Sequence, residues 1–245
     1  MNTTKHFSLL VFVAAILTFN SCSSYKNIPY FQNVNRSVLT REDIQNFSPL
    51  TIQPSDILGI SVSSLNPQAW SDSSYRATGY LVDQQGEIKL PLIGKVKVSG
   101  LTTPVVGEQI QKRLLSYLKE PSVNVRVLNF KISVIGDVAR PDVYKIPSER
   151  ITITEALSMA GDLNITAKRN NLLLVRETDG KREYITLDLT SASVFHSPYY
   201  YLRNNDMIYV EPDKSKYASV DGSYRTLSLL LSAASIITVI LTSVL

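Results

Sequence analysis

The last twenty residues, Thr226–Leu245, read TLSLLLSAASIITVILTSVL and contain no charge, glycine or proline. At 1.5 Å per residue, a helix of that length would be about 30 Å long, the thickness of a bilayer's hydrocarbon core. The nearest charge before it is Arg225. The run therefore reads as a membrane-spanning helix. Its hydroxyls are grouped: at about 100° per residue, Ser228, Ser232, Ser235, Thr238, Thr242 and Ser243 share an arc of roughly 140°. Either several copies of the helix enclose a water-filled lumen lined by this stripe, or the small residues let helices pack closely, as they do in any membrane.

The other end carries a secretion signal over residues 1–21. Lys5 supplies the positive segment, and Phe7–Phe19 is an apolar run too short to span comfortably. Cys22, the only cysteine in the chain, follows Asn20 and Ser21. A lone cysteine after a short apolar run and a small residue marks a lipoprotein cleavage site, although Phe19 stands where leucine is usual. The alternative is ordinary cleavage, with Cys22 left as a spare thiol. Lipidation would attach the chain to membrane lipid and leave no cysteine for a disulfide, a metal or a nucleophile.

Composition narrows the function classes. Twenty-five Lys and Arg face 21 Asp and Glu, without a basic cluster, so nothing points to nucleic acid. Only two histidines are present, and His6 leaves with the signal. No metal site or cofactor is expected.

Residues 22–45 are polar and read as a tether, with Ile28, Tyr30 and Phe31 able to dock on the folded part. The first body, residues 46–129, opens with the turn Pro54-Ser55-Asp56 and an alternating strand from Asp56 to Ser64. A strand pair over 79–83 and 87–93 turns at Gly86, and a third short strand runs from Gly94 to Gly100. Thr103 is placed to cap a helix with Pro104 at its first position. Val106, Ile110, Leu114 and Leu118 repeat at helical spacing until Pro121. The second body, residues 130–212, runs strand, turn from Gly136 to Pro141, strand, helix, strand, strand. Its helix has a capping-box pattern, Thr152 with Glu155, and closes at Gly161. Strand Ile208–Val210 follows Asp206. Residues 213–225 link to the final segment, 226–245. The expected fold class is α+β: two small domains, the second of β-grasp type, then a C-terminal transmembrane helix.

These residues carry a resemblance. Pro54-Ser55-Asp56-Ile-Leu-Gly-Ile-Ser-Val62, the stretch Val82-Asp83 to Gly86-Glu-Ile-Lys-Leu-Pro91, and Ile93-Gly94 to Thr102 resemble the polysaccharide export domain of the bacterial outer-membrane polysaccharide export family. Val134-Ile-Gly136-Asp-Val138-Ala-Arg-Pro141, Ile153 to Leu157, Ala160-Gly161 and Asp206 to Val210 resemble that family's soluble-ligand-binding β-grasp module. Three positions depart from it: Ser55, Asp142 and Asn205 stand where glycine is usual. Asp and Asn tolerate left-handed backbone better than Ser does.

The resemblance implies an outer-membrane lipoprotein with its bulk in the periplasm, assembled as a homo-oligomeric ring. Capsular polysaccharide or exopolysaccharide would pass through a pore built from the C-terminal helices. It further implies an inner-membrane polysaccharide copolymerase, often with a tyrosine-kinase domain, as partner. A second reading is a lipid-anchored periplasmic module that binds glycan and scaffolds an export machine, with its last helix only an anchor. No enzyme is expected: Asp83 and Glu87 flank a hairpin and do not make an acid–base pair. Tyr199–Tyr201 could stack on sugar rings, but such tyrosines more often sit in strand edges and interfaces. Lys95 and Lys97 read as a solvated strand face rather than a glycan site.

Overall fold

The computed structural model describes residues 28–39, 41–65, 79–178, 180–217 and 222–244. The signal segment, Cys22 and the loop containing Trp70 lie outside the described residues.

Apolar alternation builds the first body. Strand β1 (Ile57–Ser63) pairs antiparallel with β2 (Tyr80–Leu81) on one side and β5 (Ser122–Val127) on the other. Strands β3 (Glu87–Leu90) and β4 (Gly94–Lys97) form a separate hairpin. The expected pairing of 79–83 with 87–93 is thus reduced to one turn, closed by Asp83 N–H on the Glu87 carbonyl at 2.9 Å. β2 pairs instead with β1, and β3 with β4. Helix α1 (Thr103–Leu114) buries Val106, Ile110 and Leu114 against Leu58, Val96 and Val98. Its cap is Thr102, one residue before the expected Thr103. The Thr103 hydroxyl instead donates to Glu149 Oε1 of the second body at 3.0 Å.

The second body is a five-stranded sheet around one helix. Its strands are β6 (Lys131–Gly136), β7 (Asp142–Lys145), β8 (Ala167–Thr178), β9 (Lys181–Leu187) and β10 (Met207–Pro212), in spatial order β7-β6-β10-β8-β9. The last strand lies centrally and parallel to the first, which is β-grasp geometry. Helix α2 (Ile153–Met159) starts at the expected capping box: the Thr152 hydroxyl accepts from Glu155 N–H, and the Glu155 carboxylate accepts from Thr152 N–H. Its buried Ile153, Ala156 and Leu157 join Ile132, Val134, Leu172, Leu174 and Ile208 in one core. Gly136 ends β6 at φ +97°, and a Cβ there would lie 2.1 Å from the Val210 carbonyl oxygen, so only glycine fits.

The polar leader is a strap. Phe31 and Gln32 donate backbone hydrogen bonds to Leu189 and Thr190 carbonyls at 3.1 and 2.7 Å. The Tyr30 hydroxyl donates to Asp162 at 2.5 Å, Phe31 packs on Phe195, and Phe47 meets Tyr201 edge-on. Burial and the neighbouring Asp162 carboxylate push the Tyr30 phenol well above its ordinary value.

The expected transmembrane helix is not supported. Helix α4 (Gly222–Val244) follows the short α3 (Lys214–Tyr217), but among the described residues no helix is long and apolar enough to cross a membrane. Three serines, Ser228, Ser232 and Ser235, interrupt the apolar surface of α4, and the Ser232 and Ser235 hydroxyls donate to the Ser228 and Ser232 carbonyls at 2.9 and 2.8 Å. The side chains of Thr238, Thr242 and Ser243 lie outside the described residues. The fold class is therefore mixed α and β without that spanning element.

Candidate functional site

The polar chemistry concentrates where the two bodies meet, around two equivalent turns. Residues 53–56 read Gln-Pro-Ser-Asp and residues 203–206 read Arg-Asn-Asn-Asp, each running into an apolar strand. In both, the third residue takes the left-handed backbone: Ser55 at φ 73° and Asn205 at φ 66°. In both, the aspartate carboxylate accepts the N–H of the turn's first residue, Gln53 at 2.9 Å and Arg203 at 2.7 Å. Ser55 therefore adopts the conformation expected of glycine, held by the carboxylate that follows it. Asp142 does not; it lies in strand β7, outside the positive-φ positions.

The turns are latched to each other. Asn204 Nδ2 donates to Asp56 Oδ1 at 2.6 Å, and both residues are buried. The same Asn204 accepts from Lys131 N–H through Oδ1 at 3.0 Å, which fixes the crossover between the bodies. Asn129 on that crossover donates to the Ser55 carbonyl at 3.0 Å and accepts from Ile57 N–H at 2.9 Å. Burial raises the Asp56 carboxyl above its ordinary value, although the bonds from Gln53 and Asn204 pull it down.

Behind the second turn lies a buried ion pair. Arg176 Nε and Nη2 reach the two Asp206 carboxylate oxygens at 3.0 and 2.6 Å, with side-chain exposures of 3% and 1%. Arg176 Nη2 also donates to the Tyr201 carbonyl at 3.0 Å, and its guanidinium lies 5.4 Å from the Tyr199 ring. Burial of two charges is tolerated because the pair is bidentate and the Tyr201 carbonyl accepts a further Nη2 hydrogen.

A cleft of about 870 Å³ opens beside the latch. One wall is the first body, with Gln53, Ser55 and Gln84; the other is the second body, with Lys181, Arg182 and Arg203. Arg182 is held by Glu177, Nε to Oε1 at 2.7 Å. The Lys181 ammonium and the Arg203 guanidinium make no ion pair or side-chain hydrogen bond among the described residues.

The residues singled out in the sequence divide in space. Pro54, Asp56 and Asp206 come together at the junction. Gly86, Gly94 and Gly161 each take positive φ in separate turns, and Pro141 lies just before β7. Tyr200 and Tyr201 pack edge-on with each other, and Tyr200 also meets Phe195, so these rings face the strap. Lys95 pairs with Glu87 at 3.1 Å, and Lys97 bonds the Gln85 carbonyl. Sequence reading missed Asn204, Arg176 and Arg203. The repeated four-residue turn ending in aspartate was the available signal for the first and third, and an arginine closing an apolar strand for the second.

A third buried carboxylate lies on the far side of the second body. Asp137 accepts from Asn164 at 2.9 Å, Thr166 at 2.6 Å and Lys216 at 2.5 Å. Burial would raise its carboxyl, but these three donors outweigh it and hold the carboxyl below its ordinary value. Lys216 thereby ties helix α3 to the sheet.

Comparison with known proteins agrees with this two-body plan. Residues 45–128 match the family described as polysaccharide biosynthesis/export protein, and residues 130–210 match the SLBB domain. An EPS I polysaccharide export outer membrane protein, EpsA, of Ralstonia solanacearum is 32% identical over 151 residues, which is 59% of this chain and 39% of that protein. The corresponding protein of Ralstonia nicotianae is 29% identical over 148 residues, with the same two coverages. The exopolysaccharide production protein ExoF of Rhizobium meliloti is 30% identical over 88 residues, 34% of this chain and 21% of that one. The chain thus spans about two fifths of the length of the first two relatives. With an export domain and an SLBB domain in series, joined through paired aspartate turns, the chain belongs to the outer-membrane polysaccharide export family.

Proposed function

We propose that this chain is a non-enzymatic subunit of an apparatus that carries exopolysaccharide to the outer membrane. The observation that carries the reading is the succession of the two matched domains, shared with relatives named for polysaccharide export at that membrane. Several copies would stand around the polymer's path, with their folded bodies in the periplasm and a lipid on Cys22 holding them to the membrane. The latch supports such a role, because a subunit of a fixed conduit needs its two bodies held in one orientation. An inner-membrane polysaccharide copolymerase is the partner that the resemblance suggests. The hydroxyl stripe on α4 enters this proposal only as a packing face between copies, because the spanning helix that would have carried a lumen is not supported.

Deletion of the gene, complemented with the native chain or with Cys22→Ser, tests this. Deletion should reduce secreted polysaccharide, the native chain should restore it, and Cys22→Ser should move the protein out of the membrane fraction. Unchanged secretion in the deletion strain would overturn the proposal.

A further inference from the structure

Three features mark the junction cleft as a ligand site. It lies between domains, where ligand sites concentrate, and both bodies supply its walls. Its described charged lining is Lys181, Arg182 and Arg203 against the single carboxylate of Glu177. Of these cations only Arg182 is spoken for, by Glu177. The other two make no ion pair or side-chain hydrogen bond among the described residues, and Arg203 is half-buried. Thr178 adds a buried hydroxyl oxygen with no hydrogen-bond partner among the described residues. On the opposite wall Gln53 and Gln84 supply amides, and the described lining holds no aromatic ring.

This chemistry selects a ligand class. A planar guanidinium and an ammonium lining one cleft match a carboxylate, and the guanidinium can take it bidentately. Amides and hydroxyls on the facing wall match the hydroxyls around a sugar ring. Among the described lining, recognition therefore runs through polar groups rather than ring stacking.

We propose that the cleft binds a carboxylated sugar unit of a glycan chain, with Arg203 and Lys181 on the carboxylate and Gln53 and Gln84 on ring hydroxyls. This rests on the export reading and narrows it: the polymer handled is acidic, and each subunit holds it at the joint between its two bodies. The cations are solvent-accessible, so binding weakens as salt rises.

The test is titration calorimetry on the full-length chain with an oligoglucuronate and with a neutral glucose oligomer of equal length. The oligoglucuronate should bind at low salt, with the neutral oligomer at least about tenfold weaker. Lys181→Gln with Arg203→Gln should weaken the acidic oligomer by about tenfold or more, in keeping with the loss of charge-assisted bonds. Neither side chain holds the fold, so the melting temperature should stay put, and Lys112→Gln should change nothing. Equal binding of the two oligomers, no binding of the acidic one, or full binding by the double variant would overturn the assignment.

Competition with the producing strain's own polysaccharide and with de-peptidised cell-wall glycan separates two sources of such carboxylates. Displacement by the first keeps the cleft on the export path; displacement by the second alone removes it from that path. The gene deletion reports separately on the export reading. If deletion stops secretion while the cleft variant still binds normally, only the cleft assignment falls.

Discussion

The latch between the two turns can be measured by a double-mutant cycle on Asp56 and Asn204. Their hydrogen bond is 2.6 Å long, has an ionisable acceptor, and joins residues that are 2% and 5% exposed. Such a bond to a charged group contributes about 1.5–3 kcal/mol, more than a neutral one. Asp56→Ala also removes the acceptor of Gln53 N–H, and Asn204→Ala also orphans Lys131 N–H. Each single variant should therefore lose more than the latch alone, about 2–4 kcal/mol. The cycle cancels those private losses and should return a coupling of about 1.5–3 kcal/mol, a factor of roughly 10 to 150 in the unfolding equilibrium. Urea unfolding of the four proteins supplies the numbers. The pH dependence adds a second check. Because the folded Asp56 carboxyl is raised above its ordinary value of 3.8, its contribution to stability is complete below that value and is lost as pH rises through the raised one. Asp56→Asn should therefore gain on the native chain across that window. A coupling below about 0.5 kcal/mol would show that the turns act independently and would refute the latch.

Three further outcomes follow from the geometry. Gly136→Ala places a Cβ 2.1 Å from the Val210 carbonyl at φ +97° and should cost at least about 3 kcal/mol, seen as a large fall in melting temperature. Ser55→Gly relieves a left-handed backbone at φ 73° and should stabilise by up to about 1 kcal/mol in the same assay; a loss would mean that the Ser55 side chain matters in its own right. Asp137→Asn should free helix α3, read as faster amide exchange over residues 213–217, at a cost near 1 kcal/mol since Lys216 is 42% exposed. The native chain should lose the same protection in acid: Asp137's folded carboxyl is depressed, so its contribution is present above 3.8 and lost as pH falls through the lowered value.

What the sequence disclosed was what local chemistry decides. The Thr152–Glu155 capping box is set within one helical turn and was readable as such. So was the alternation of β1, because its buried face is a period of two. Gly136 and the aspartate turns were visible as turn residues. Their meeting across 148 positions was not, because nothing near Asp56 names its partner. Arg176 stands 30 positions from Asp206, and nothing in its own strand shows that its charge is paired. The strand pairing around β2 failed for a related reason: a two-residue strand takes whichever longer neighbour is at hand. The final helix was read from hydropathy alone. A count of apolar residues gives little weight to the serines that interrupt the apolar surface of that helix.

The strap has a mechanical consequence. Residues 30–33 are fastened to the β-grasp body through Leu189, Thr190 and Ser191, and residues 213–216 are fastened to the same body through Thr166 and Asp137. The export domain lies between them in sequence, yet both of its connections return to that one anchorage. Tension applied between the two fastened segments would load the β-grasp sheet and leave the export domain slack. The export domain, held to that body by the Asp56–Asn204 bond, is thus carried along with it without bearing the load.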